Sequence, residues 1–390
     1  MQTKRKGKKT VLAELKKIHE HDSKYKTGKI LCSMCTAPHP IARRAHRLFV
    51  GSNLGDPGLF PGSLQLEKEV IGKLAALLNC KNSVGSIVSG GTEANMLALL
   101  AARNMTNVSE PEVVLPASAH FSFAKICNLL RIKPVEARLD SSYRVDLSSV
   151  KRCLSKNTVA IVGTAGTAEL GAVDPINKLS QIASKQGIYL HVDAAFGGLI
   201  IPFLKNASRN ASEFDFRSEG VKSITVDPHK MGMATIPAGG ILFRDSSYLR
   251  YIMTHTPYLT DKVQYTFVGT RSGASVAATW AVFESLGREG FTKTAKHCIR
   301  LTKLLSSGLE SLGFKLITRP TLNIVAFRCA DYKLLAETLK RRGWFVSTVP
   351  RLDCIRIVVM PHVQYRHITA LLIALKEIVD SHIIETSSQE

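Results

Sequence analysis

The sequence predicts an α/β protein: a mostly parallel sheet flanked by helices, with a smaller α+β domain at the C-terminal end. Three observations carry this. Between about residues 83 and 245, short apolar or β-branched runs alternate with segments of helical periodicity. Several of those runs are apolar throughout, as strands covered on both faces require. Beyond about residue 290 the pattern becomes helix, strand, helix, strand and a final helix, which marks a second unit.

In chain order, residues 11–21 (VLAELKKIHEH) have apolar residues at helical spacing. Residues 31–62 are rich in Gly and Pro and read as irregular, wrapping over another surface. LQLEKEVIGKLAALLN then reads as an amphipathic helix. SVGSIVS, EVVLP, TVAIVGTAG, IYLHVDAA, SITVD and AGGILFRD read as strands. TEANMLALLAARN, FSFAKICNLL and DPINKLSQIASKQG read as the helices between them, the last closed by a Gly. The division expected is an N-terminal arm and helix over 1–60, a large domain over 61–288 and a small domain over 289–390.

Composition narrows the possibilities. The chain has 390 residues, 45% of them hydrophobic, enough to bury a sizeable core. Its longest apolar runs, such as Ile355 to Met360, are too short to span a bilayer. No signal-peptide pattern follows the basic start, and the chain is expected to be cytoplasmic. Eight cysteines are scattered, and Cys32-x-x-Cys35 has no second pair, so reduced thiols are expected and no metal. The formal charge is +21, with Lys4, Arg5, Lys6, Lys8 and Lys9 in a leader expected to be disordered. Such a field favours anionic ligands. No zinc-finger spacing, RNP-like motif or helix-turn-helix accompanies it, so neither nucleic acid nor membrane is the expected partner.

Four segments carry chemistry. In SITVDPHKMG a strand ends at Asp227, and His229 and Lys230 follow on the turn, where ligands bind in parallel sheets. In YLHVDAAFGG, Asp193 ends a buried strand, and a buried carboxylate needs a cation. In SGGTEAN, two glycines and a threonine open a helix, offering free N–H groups to an anion. His120, after EVVLP, stands at another strand-to-helix junction. Each has an ordinary reading taken alone: a surface lysine, a helix-capping aspartate, a tight turn, a core histidine. Together they supply an amine, a partner for a pyridinium, a phosphate cradle and a ring-stacking group. Pyridoxal 5'-phosphate (PLP) needs that set.

The order and wording of these segments resemble the fold-type I PLP enzymes with their seven-stranded sheet, and within them the group II amino-acid decarboxylases. The similarity is closest to the archaeal L-tyrosine/L-aspartate decarboxylase branch. It runs from about Leu31 to His362 through strings such as NLGDPGLFPGS, SGGTEANMLALLAARN, VGTAGTAELGAVDPI, HVDAAFGG, SITVDPHKMG and IRIVVMPH. The resemblance implies decarboxylation of L-aspartate, L-tyrosine or L-glutamate, a small-molecule substrate, and a homodimer with shared active sites. It implies that Lys230 carries PLP as a Schiff base, Asp193 pairs with the ring nitrogen and His120 stacks on the ring. Gly91, Thr92 and His229 would hold the phosphate, and Thr164 and Ala195 would flank the ring. Arg356 would grip the substrate carboxylate, against a plain reading as a solvated strand arginine. Tyr258, preferred over Tyr265, would be the proton donor of a mobile loop. Arg271 and the loop before it would serve the neighbouring subunit. Two readings compete: a lyase of the sphingosine-phosphate lyase type, sharing the lysine string, and a non-enzymatic basic protein that binds nucleic acid.

Overall fold

Apolar strands that end in Asp or Thr and feed directly into helices build the large domain. The computed structural model describes residues 5–204, 213–383 and residue 386; Lys4 of the basic leader lies outside them. Seven strands form one sheet: β1 (Val84–Val88), β2 (Glu112–Pro116), β3 (Lys133–Ala137), β4 (Thr158–Thr164), β5 (Tyr189–Asp193), β6 (Val221–Val226) and β7 (Gly239–Phe243). Their order is β1-β7-β6-β5-β4-β2-β3. β3, β2, β4, β5 and β6 run parallel, while β7 is antiparallel to both β6 and β1. β2, β4 and β5 are buried along their whole length. Alternate residues then serve opposite faces. Ile161, Leu190 and Ile224 pack with Ile176 and Leu179 of the helix Ile176–Gln186. Ala160, Val162 and Val113 pack with Leu97 of Gly91–Asn104 and Phe123 of Ser122–Leu130.

A short hairpin, β8 (Thr254–His255) and β9 (Val263–Gln264), precedes the long helix Gly273–Ser311. Gly287, at φ 51° and ψ −168°, interrupts that helix. Four antiparallel strands follow, β10 (Lys315–Leu316), β11 (Ile324–Arg328), β12 (Ser347–Val349) and β13 (Cys354–Val358), in the order β10-β11-β13-β12. Val325, Phe327, Ile355 and Ile357 share a core with Leu371 and Leu375 of the helix Tyr365–Asp380. Leu31 enters this core from the N-terminal segment: its N–H donates to Phe345 O and its carbonyl accepts from Val358 N, both at 2.8 Å.

Three expectations are corrected. The stretch 31–62 contains a helix, Pro40–Leu48, with Pro40 in its first turn and the His39 ring accepting from Ile41 N. The first helix, Lys8–His19, takes up Lys8 and Lys9 of the leader and buries none of its residues. Arg271 is committed to its own chain. It forms a short ion pair with Glu67 and donates to Ile87 O (2.9 Å) and Leu54 O (3.3 Å), while Glu67 Oε1 accepts from Ile87 N at 2.8 Å. This pair, largely buried on both sides, ties the helix Pro61–Leu77 and β1 to the start of the long helix. Removing one partner leaves a buried charge uncompensated, which costs about 3–5 kcal/mol. Arg271→Ala is therefore expected to lose stability on that scale in urea denaturation; a loss under about 1 kcal/mol would show that the pair is dispensable.

Candidate active site

Parallel strands all end on the same side of their sheet, so β4, β5 and β6 deliver their last residues to one crevice. Thr164 ends β4, Asp193 ends β5, and Asp227, His229 and Lys230 follow β6 on its turn. In the ladder Thr164 stands opposite Asp193, and Asp193 opposite Thr225. These ends open on a cavity of about 380 Å³ whose wall also includes Ser89, Gly90, Gly91, Thr92, Asn95, His120, Ala195 and Met34. That volume suits a small organic ligand, roughly 300–1,000 Å³.

Gly90 and Gly91 lie between β1 and the helix Gly91–Asn104, so the first N–H groups of that helix face the cavity with its positive dipole end. β7 presses on this turn from behind. A Cβ on Gly239 would lie 2.4 Å from Gly90 Cα and 2.5 Å from its carbonyl carbon. His229 braces the same region, its N–H donating to Ala238 O and its Nδ1 accepting from Ala238 N, both at 3.2 Å. Burial holds its pKa below the ordinary histidine range.

Asp193 is 6% exposed. Its Oδ2 accepts from Asn95 Nδ2 at 2.9 Å and its Oδ1 from Ala195 N at 3.1 Å. Lys230 Nζ sits 3.1 Å from Asp227 Oδ2. Burial works against the charge on Lys230, but the carboxylates of Asp227 and Asp193 outweigh it and raise its pKa. His120 Nδ1 faces Ser122 Oγ at 2.9 Å and accepts from Ser122 N at 3.3 Å. Burial lowers its pKa, with Asp193 opposing. Two buried polar atoms among the lining residues, Thr164 Oγ1 and Asp227 Oδ1, have no hydrogen-bond partner. An amine, a buried carboxylate, an imidazole, small residues and a helix N-terminus on one wall fit the donor and acceptor groups of PLP.

Eight of the residues singled out in the sequence meet here: Lys230, Asp193, Thr164, Ala195, His120, His229, Gly91 and Thr92. Three others stand apart. Tyr258, at the tip of the β8–β9 hairpin, is 87% exposed; Tyr265 is half-buried, and neither lines the cavity. Arg356 on β13 is 8% exposed and also lies outside the lining. It donates to Cys32 O (3.0 Å) and Ser347 Oγ (3.2 Å), its Nε has no partner, and burial brings its pKa down to about 10. Asn95, Asp227 and Met34 were not singled out. Asn95 could have been found one helical turn after Gly91; Met34 lies in a stretch without periodicity and gave no such signal.

The model of the pyridoxal-dependent decarboxylase conserved domain matches residues 56–330. A probable L-tyrosine/L-aspartate decarboxylase of Methanothermobacter thermautotrophicus is 52% identical over 89% of this chain and 96% of the relative. An L-aspartate decarboxylase of Thermococcus kodakarensis is 47% identical over 94% and 96%. Among solved structures, a sphingosine-1-phosphate lyase of Burkholderia pseudomallei superposes with a TM-score of 0.90 at 27% identity, over 97% of this chain and 92% of that one. The chain belongs to the pyridoxal-dependent decarboxylase family: its cofactor is PLP and its reaction is the decarboxylation of an amino acid. The fold is common to lyase and decarboxylases, but the family match and the 52% relative set the lyase reading aside.

The contact of Gly239 with Gly90 yields a test remote from the chemistry. Gly239→Ala must push the Gly90–Gly91 turn out of place, and overpacking of this kind costs about 1–3 kcal/mol. Titration of the apoenzyme with PLP, followed by fluorescence, is expected to show roughly tenfold weaker binding. Wild-type affinity would mean that the turn does not bind the cofactor.

Proposed function

We propose that this enzyme decarboxylates L-aspartate, L-tyrosine or both, giving β-alanine and tyramine, with L-glutamate as a further acidic substrate. The observation that carries the reading is the meeting of Lys230, Asp193, His120 and the Gly90–Thr92 turn on one cavity. The names borne by relatives at 45–52% identity supply the substrates.

PLP, when bound, supplies the electron sink for the charge left as CO2 departs. Lys230 Nζ is the amine that holds it. Asp193 pairs with the ring nitrogen and keeps a proton on it. His120 would stack on the ring, with Ala195 and Thr164 flanking it. Gly91 and Thr92 would bind the phosphate through backbone and hydroxyl, and His229 would reach it from beside Lys230. Arg356 receives the substrate carboxylate: its buried guanidinium forms no salt bridge among the described residues and has a spare Nε–H. Tyr258 returns a proton to the substrate's α-carbon.

On its own chain Tyr258 lies outside the cavity, which suits its presentation by a neighbouring copy. We propose a homodimer on this ground. Exposed Leu48 (81%), Val50 (71%), Leu59 (64%) and Phe267 (63%) offer the apolar surface that a second copy would cover. Among the described residues no helix is long and apolar enough to cross a membrane. All eight cysteines are free, which suits a reducing, cytoplasmic setting.

Release of CO2 from a panel of common amino acids tests the substrate directly, and activity on neither aspartate nor tyrosine would refute it. Lys230→Ala is expected to lose borohydride-trapped cofactor and nearly all turnover; trapping at another lysine would reassign the anchor. Arg356→Lys is expected to lower kcat/KM by about tenfold to a hundredfold, chiefly through KM, because a charge-assisted fork is lost. An unchanged KM would leave Arg356 a structural residue.

A further inference from the structure

Behind Asp193 lies a chain of buried polar side chains that reaches no solvent. Asn95 Oδ1 is 2.7 Å from Thr225 Oγ1 and 2.9 Å from His191 Nε2, and His191 Nδ1 is 2.8 Å from Ser223 Oγ. His191, Ser223 and Thr225 are each 0% exposed and Asn95 1%. Three of them are consecutive inward residues of adjacent strands, since His191 stands opposite Ser223 and Asp193 opposite Thr225.

We infer that His191 and Thr225 are positioning residues that lock the Asn95 amide with its NH2 group toward Asp193, and so fix how that carboxylate meets the ring nitrogen of the cofactor. The inference rests on the proposed pairing of Asp193 with that nitrogen. An Asn side chain has two orientations of nearly equal shape. In one, Nδ2 donates to Asp193 Oδ2, as here at 2.9 Å. In the other, the carbonyl oxygen faces a carboxylate and both are acceptors. The acceptor-only carboxylate takes the NH2 group, which leaves Oδ1 to the far side. There the Thr225 hydroxyl donates to it at 2.7 Å, and His191, in its Nε2–H tautomer, donates at 2.9 Å. These two donors hold the amide in the orientation the carboxylate selects.

The imidazole suits this task because it stays neutral: complete burial brings its pKa down to about 4. A neutral ring has one N–H; with Asn95 Oδ1 accepting at Nε2, Nδ1 is left to accept from the Ser223 hydroxyl. The relay thus has a direction, Ser223 to His191 to Asn95 to Asp193. None of its members except Asn95 and Asp193 lines the cavity.

Two substitutions at His191 separate positioning from packing. His191→Gln can place an amide N–H where Nε2–H stands. His191→Asn is shorter and leaves Asn95 Oδ1 without that donor. Each holoenzyme is reconstituted with PLP carrying 15N in the ring. The solid-state 15N shift then reports whether the ring nitrogen holds its proton, and a fluorescence titration gives the PLP dissociation constant. Wild type and His191→Gln are expected to show the protonated shift. His191→Asn and Thr225→Val are expected to move toward the neutral shift, with PLP bound about tenfold more weakly, the scale of one lost buried hydrogen bond. If His191→Asn fails to fold, Thr225→Val decides alone, since it removes one hydroxyl and little volume. A wild-type shift and affinity in the deciding variant overturn the relay, as does a His191→Gln protein as impaired as His191→Asn. A neutral shift in the wild type itself overturns the pairing of Asp193 with the ring nitrogen.

Discussion

The site depends on one electrostatic constraint, a carboxylate kept at the buried end of a central strand. Asp193 is 6% exposed, and a charge in such a place is costly unless donors surround it. Two are built in, Ala195 N on one oxygen and Asn95 Nδ2 on the other. Both presuppose the fold. Ala195 N is available because the chain turns sharply after β5, with Ala194 N donating to Thr225 O and Gly197 N to Ala165 O. Asn95 reaches Asp193 because the helix Gly91–Asn104 crosses over β5 and β6, placing its second turn above the strand ends.

The same helix has its first turn at the glycines, so one element lines the cavity at two places. Its N-terminus offers backbone N–H groups to an anion, and one turn later its side chain reaches the carboxylate. The distance between these functions is set by helix geometry, about 5.4 Å per turn. β7 then sets the position of the helix start, because Gly239 abuts Gly90. An antiparallel strand next to β1 looks like a departure from the parallel plan, yet it is what locates the Gly90–Gly91 turn.

Much of this was legible in the sequence, for physical reasons. β2, β4 and β5 are buried along their whole length, and their largely apolar runs announce it. β3 (KPVEA) escaped individual reading because it is an edge strand, largely exposed, with a proline that edges tolerate. The helix Pro40–Leu48 was masked by the Gly and Pro around it, although Pro40 is a start signal. Lys230, Asp193, His120 and the Gly91–Thr92 turn could be read because junctions between strand and helix concentrate chemistry at sheet edges. The His191 relay could not. Its residues sit within strands as ordinary polar interruptions, and only the register of β5 against β6 brings them into line.

Tyr258 and Arg356 show where reading by motif stops. Both were selected by position within a string, but a string does not say which chain or cavity a side chain meets. Arg356 is held from behind by Cys32 O and Ser347 Oγ, and Cys32 lies two residues from Met34 on the cavity wall. The N-terminal segment is therefore the link between β13 and the cavity, and its Leu31 is pinned to Phe345 and Val358. A shift of that segment would move Met34 and Arg356 together. Met34 and Arg356 are thus tied to how a segment without periodicity is anchored to the small domain, whereas Thr164, Asp193 and Lys230 follow from the sheet. One group is fixed by strand register, the other by a handful of backbone hydrogen bonds.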